Sequence, residues 1–154
     1  MKRSERRETI FRLLFMRQFR TGEEMPELIT EYMEGARSGL EEIPADGRIS
    51  FGEETAIRDK LERIPAYIPE IDEKLNQVSR GWKTSRMSKV DLTILRLAVY
   101  EMLYDDDVPV GVAINEAVEI AKRYGGEESA SFINGILGQI ARQAKEQETP
   151  ESAE

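Results

Sequence analysis

The chain has 154 residues, no cysteine, no histidine and a formal net charge of −8. That length suits one domain with a real core, and 40% hydrophobic with 34% charged residues lies far from the disordered extreme. The absence of cysteine excludes a disulfide framework and thiolate metal sites. No apolar run approaches the ~18 residues that span a bilayer, and the start lacks the apolar stretch of a secretory signal, so neither membrane insertion nor export by that route is expected.

Along the chain the periodicity is helical throughout. From Ser4 to Arg20, Ile10, Phe11, Leu13, Leu14, Phe15 and Phe19 recur at three- and four-residue steps with arginines between them, predicting a helix with a buried stripe and a basic outer face. Gly22 reads as its stop. Pro26 suits the first turn of a second helix running to Gly39, with Leu28, Ile29, Tyr32, Met33 and Ala36 inward. Residues Glu42 to Gly52 carry the turn chemistry of a connecting loop, with Pro44, Asp46, Gly47 and Gly52. A third helix follows, with Ala56, Ile57, Leu61 and Ile64 inward and Glu53 and Glu54 near its positive end. Pro69 starts a fourth, holding Ile71, Leu75 and Val78, and Arg80 to Arg86 reads as a loop containing Trp82. Ser88-Lys89-Val90-Asp91 has the spacing of a capping box, opening a fifth helix that buries Ile94, Leu95, Ala98, Val99, Met102 and Leu103. Apolar on both sides, this helix belongs at the centre of the core. After Asp105-Asp106-Asp107 and Pro109, a sixth helix runs from Val110 to Tyr124 and ends at Gly125-Gly126. Phe132, Ile133, Ile136, Leu137 and Ile140 define a seventh. Beyond Gln143 the Glu-, Gln- and Ala-rich end is expected to fray.

Charge is unevenly spread. Residues 1–20 hold seven basic and two acidic residues, a local +5 that leaves −13 for the rest. Lys2 precedes Arg3, Arg6 and Arg7, which share one face of a helical turn, and guanidinium groups offer paired donors to phosphate. A basic arm on an acidic body makes a localised anion site, while the acidic faces suit a basic protein. The bland account is a solvated helix end balanced by Glu5 and Glu8.

Catalysis finds little support. Without His or Cys, acid–base and nucleophilic work would fall to carboxylates, Lys, Tyr, Ser or Thr, and no triad-like grouping or phosphate-cradling glycine loop is visible. Asp105-Asp106-Asp107 is the one dense carboxylate run, and a solvated loop explains it better than a cation site. Asn115 and Glu116 read as an inward hydrogen-bonding amide and an acid favourable early in its helix. Asn134-Gly135 inside the seventh helix costs helix propensity, for which close approach of another helix at Gly135 is the simplest reason.

Order and spacing in the last third carry a resemblance: Asp91-Leu92-Thr93-Ile94-Leu95-Arg96-Leu97-Ala98-Val99-Tyr100-Glu101, then Pro109, then Ala113-Ile114-Asn115-Glu116-Ala117-Val118-Glu119-Ile120-Ala121-Lys122, then Ser131-Phe132-Ile133-Asn134-Gly135. With the arginine-rich start and Arg12-Leu13-Leu14-Phe15, the chain resembles the NusB family of bacterial transcription antitermination factors. The resemblance implies an all-α, single-domain fold of about seven helices in two packed antiparallel subbundles, with residues 1–143 as the RNA-binding domain and 144–154 as an acidic tail. It also implies a cytoplasmic, non-catalytic factor without cofactor or metal. Such a factor binds single-stranded boxA RNA with ribosomal protein NusE, in contact with the RNA polymerase elongation complex through other Nus factors, and supports transcription of ribosomal RNA operons. Relatives include monomers and homodimers, and the sequence does not choose between them.

Carried over residue by residue, the RNA-facing set is Lys2, Arg3, Arg6, Arg7, Lys122, Arg123, Tyr124, Ser131 and Phe132. The NusE-facing pair is Asp91 and Glu101. Ser4 and Glu5 depart from the pattern, standing at places that can be basic in relatives. Several readings stay open beside these. Asp91 also fits a helix cap, Phe132 and Tyr124 also fit core packing, Ser129 also fits an N-cap, and Trp82 fits either a core lid or a partner anchor. Two other functions stand as rivals: an RNA-binding appendage like that of ribosomal RNA cytosine methyltransferases, and a purely protein-binding helical module. The first needs a cofactor-binding α/β domain for which 154 residues leave no room.

Overall fold

The computed structural model describes residues 1–20, 24–39, 49–81 and 83–152, with 148–152 as backbone only. Every regular element among them is helical: α1 (Arg3–Arg17), α2 (Met25–Arg37), α3 (Phe51–Arg63), α4 (Ile68–Val78), α5 (Lys89–Tyr104), α6 (Val110–Tyr124) and α7 (Ser129–Ser152), with 3-10 turns at Ile64–Tyr67 and Thr84–Arg86. The all-α expectation holds. Gly22, the Pro44–Gly47 turn and Trp82 lie outside the described residues. The helices form two compact units, residues 1–66 and residues 67–154.

In the first unit α1, α2 and α3 pack on one another. Ile10, Phe11, Leu13 and Leu14 from α1 meet Leu28, Ile29, Tyr32 and Met33 from α2 and Ile57, Leu61 and Ile64 from the α3 end as its core. Phe19 departs from the expected stripe. The helix ends at Arg17, so Phe19 falls past the periodic segment and stands 58% exposed, its ring edge-on to Phe15 at 5.0 Å. α3 starts earlier than expected, because Ser50 accepts the Glu53 N–H at 3.1 Å and caps it, which places Gly52 inside the first turn rather than in the loop. Arg58 ties α3 to α2: its guanidinium donates to the Pro26 carbonyl at 3.2 Å, the Thr30 hydroxyl at 2.9 Å and Glu54 at 3.3 Å.

In the second unit α5 packs against α4, α6 and α7, and α7 also meets α4 and α6. That arrangement explains why ten residues of α5 are buried, from Leu92 to Met102. Leu103 and Val78 are only half-buried, each close to the end of its helix. Ser88 caps α5 by accepting the Asp91 N–H at 3.1 Å. Arg96 reaches from α5 to Asp72 on α4 through two parallel bonds of 2.9 and 2.7 Å, the fork geometry that Lys cannot copy. The stop–start signals at Pro109, Val110 and Tyr124 fall where the sequence places them.

At the far end of α5, Tyr104 donates its hydroxyl to Glu70 at 3.0 Å. Burial first, then the hydrogen bond to Glu70 and the charges of Glu70 and Tyr67, push the Tyr104 phenol up from 10.0 to about 12. The folded chain therefore holds this proton more tightly than the unfolded chain. Its contribution to stability is complete below pH ~10 and is lost as pH rises towards about 12. In phenolate absorbance titrations, with Tyr104→Phe subtracted, Glu70→Gln is expected to bring the Tyr104 midpoint back down. An unmoved midpoint would assign the whole shift to burial.

Candidate nucleic-acid interface

The basic arm is built by the start of α1. Lys2 occupies the N-cap, and its backbone N–H donates to Glu5 Oε1 at 2.8 Å, so the acid that stands where the arm can carry a base fastens the helix start. Lys2 and Arg3 are exposed. Arg6 is half-buried, and its Nε is enclosed with no hydrogen-bond partner among the described residues. Arg7 is buried, 9% exposed, beside the likewise buried Glu8, and neither is free of partners. Arg3 and Arg7 share a face as spacing demands, but Arg7 stands a full turn deeper, where the helix is already packed. The four-residue cluster thus divides into two outward cations and two inward ones. Periodicity assigns a face but not a depth, which is why Arg7 reads in sequence as a surface donor.

The second element is the turn joining α6 to α7. Lys122 and Arg123 are exposed in the last turn of α6, where cations complement the negative helix end. Lys122 also pairs with Glu119 at 3.3 Å, a solvated contact of little strength. Tyr124 and Phe132 are half-buried, and Ser131 is exposed. Neither Tyr124 nor Phe132 is fully buried. The turn itself is tight: Gly125 N–H reaches the Ala121 carbonyl at 2.8 Å, and Gly126 N–H donates to the Ser129 hydroxyl at 3.0 Å. Ser129, 8% exposed, is thus the staple of the turn rather than an N-cap, and α7 begins at Ser129 itself. The fold gathers Lys122, Arg123, Tyr124, Ser131 and Phe132 at one end of the α6–α7 pair, while the arm belongs to the other unit.

The two partner-facing residues part company. Asp91 lies in the first turn of α5, half-buried, and its Oδ1 is enclosed without a hydrogen-bond partner among the described residues. Ser88 caps the helix, yet no reciprocal bond from Asp91 closes the box. Glu101 is 1% exposed and is not free of partners. It has no surface to offer a partner.

Other sequence expectations change as well. Asn115 is exposed rather than inward. Gly135 is exposed too, and a Cβ built there meets nothing within 4 Å, so close helix approach does not explain it. Asp105 Oδ1 accepts the Asp107 N–H at 3.0 Å, which makes the acidic run a turn. Among the described residues no three acidic side chains converge as a metal site would require. A shallow groove of about 400 Å³ beside Pro26, Glu27, Thr30, Glu31 and Glu34 is lined by three carboxylates and one hydroxyl. The exposure of Val110 and Val112 was not anticipated, although five apolar residues in a row, Val108 to Val112, cannot all face inward on a 3.6-residue period.

The NusB family model matches residues 4–142. The transcription antitermination protein NusB of Lachnoclostridium phytofermentans is 44% identical over 140 residues, covering 91% of this chain and 98% of that protein. Among solved structures, NusB of T. maritima superposes with a TM-score of 0.77 at 34% identity, covering 92% of each chain. A structure of antitermination factors NusB and NusE in complex with double-stranded RNA superposes with a TM-score of 0.75, covering 92% of this chain and 96% of that one, and at 23% identity it speaks for the fold alone. Among the described residues no helix is long and apolar enough to cross a membrane.

Proposed function

The chain belongs to the NusB family, and from that membership we propose that it is a transcription antitermination factor which binds boxA RNA together with ribosomal protein NusE. It works in the cytoplasm on ribosomal RNA leader transcripts, without catalysis or cofactor, and connects to the RNA polymerase elongation complex through other Nus factors. Residues 1–143 form the RNA-binding domain, and 144–154 an acidic tail.

The observation that carries the RNA reading is the pair of outward cations, Lys2 and Arg3, at the start of α1 in an otherwise acidic chain. Phosphate contacts from these two hold and orient the strand, and the rings of the half-buried Tyr124 and Phe132 at the α6–α7 turn supply stacking surfaces for unpaired bases. Arg7, being buried, supports the arm from within instead of meeting phosphate. On the protein side, Asp91 is the residue of the pair that can still meet NusE.

Fluorescence anisotropy with boxA and scrambled RNA, with and without NusE, tests the reading. Selective binding strengthened by NusE and weakened by salt is expected. Lys2→Ala and Arg3→Ala should each reduce the logarithmic salt slope by roughly 0.7 for every single-strand phosphate left unneutralised. Equal affinity for both RNAs, with or without NusE, would sink the boxA assignment; an unchanged slope in both variants would remove the arm from the interface.

A further inference from the structure

Three tyrosines gather where the start of α4 meets the end of α5. The ring centroids of Tyr67 and Tyr104 lie 4.4 Å apart at 32°, and those of Tyr67 and Tyr100 lie 5.5 Å apart at 66°. Tyr100 is buried and floors the cluster, while Tyr67 and Tyr104 are half-buried. The Tyr104 hydroxyl holds the exposed Glu70 carboxylate beside the rings by donating to its Oε2.

Glu70 forms no ion pair among the described residues, and α5 has no basic residue in its last turn, where a helix presents its negative end. Asp105, Asp106 and Asp107 follow directly, the last two exposed. Ring faces, a positioned carboxylate and a helix C-terminus all favour positive charge. A planar cation suits them best, because a guanidinium stacks on a tyrosine ring and meets carboxylate oxygens with its fork, whereas an ammonium lacks both plane and fork. The surrounding carboxylates repel a phosphate backbone, which leaves a protein as the source of the cation.

We infer that the Tyr67–Tyr104–Glu70 cluster is a receptor for an arginine side chain of a partner protein. It lies at the opposite end of α5 from Asp91, and it stands independently of the RNA reading, since its test contains no RNA. The full chain is titrated with an acetylated, amidated Gly-Arg-Gly peptide, and tyrosine ring resonances are followed by NMR. The same peptide with citrulline or lysine in place of arginine is run alongside. The arginine peptide is expected to shift the Tyr67 and Tyr104 resonances saturably, the lysine peptide to bind at least threefold more weakly, and the citrulline peptide to leave them in place. Glu70→Gln, a change at an exposed position, should weaken arginine binding at least fivefold while the circular dichroism spectrum is unchanged. Equal shifts from arginine and citrulline peptides, no shift at these two rings, or undiminished binding by Glu70→Gln would each overturn the proposal.

Discussion

Gly125→Ala is expected to destabilise the chain by about 1–3 kcal/mol, the usual cost of forcing atoms into a packed position. A Cβ at this position would stand 2.5 Å from Ser129 Cβ, 2.6 Å from Ser129 Oγ and 2.8 Å from the Ala121 carbonyl oxygen. The last of these is helix backbone and cannot step aside. The other two belong to a buried serine whose hydroxyl already holds the Gly126 N–H. Relief therefore requires α6 and α7 to separate at their joint, which displaces Tyr124 and Phe132 from the same end. Gly126→Ala is the matched control, because its Cβ meets nothing within 4 Å, and its effect should stay within ~0.5 kcal/mol. Urea unfolding of both variants decides the matter. Similar midpoints for the two would mean that the turn has more room than its geometry shows.

A larger loss is expected for Leu95→Ala, about 2–5 kcal/mol, from lost transfer energy and the cavity left behind. Leu95 is 0% exposed on α5, the helix against which α4, α6 and α7 all pack. Rigid neighbours on three sides limit collapse into the space, which favours the upper part of that range. The denaturant slope should be unchanged while the midpoint falls. A loss below about 1 kcal/mol would show that the surrounding helices close the gap, against the central role given to α5.

The legible parts of this protein are those written in short-range patterns. Pro26, Pro69, Ser88, Pro109 and Gly125 are local stop and start signals, and the helices begin and end within a residue or two of them. The apolar periodicity likewise identified Leu28, Ile29, Ile57, Leu61, Ile71, Leu75 and Leu95 as core. Of the proposed site, the residues alone offered the basic side chains at the start of α1, while Lys122, Arg123 and Tyr124 came from the family resemblance. Where the pattern has two meanings, sequence could not choose. Glu53, three residues on, marks Ser50 as a cap, but a glycine between them suggested a loop.

Depth and pairing were decided by tertiary structure. Arg3 and Arg7 are equivalent in period yet differ in burial, because depth depends on which other helices pack along α1. Glu101 is charged, yet the packed fold leaves it only 1% exposed. The Arg96–Asp72 fork and the Tyr104–Glu70 bond join residues 24 and 34 positions apart, distances over which no local rule operates. The sequence by itself determined that this chain is helical, where most of its helices begin, and which family it resembles, since those properties rest on neighbours within a few residues. It misplaced two ends, because α1 stops at Arg17 rather than Arg20 and α7 runs on to Ser152 past the fraying expected after Gln143. Only the packed fold determined which of its charges face water, because burial is set by contacts between segments remote in the chain.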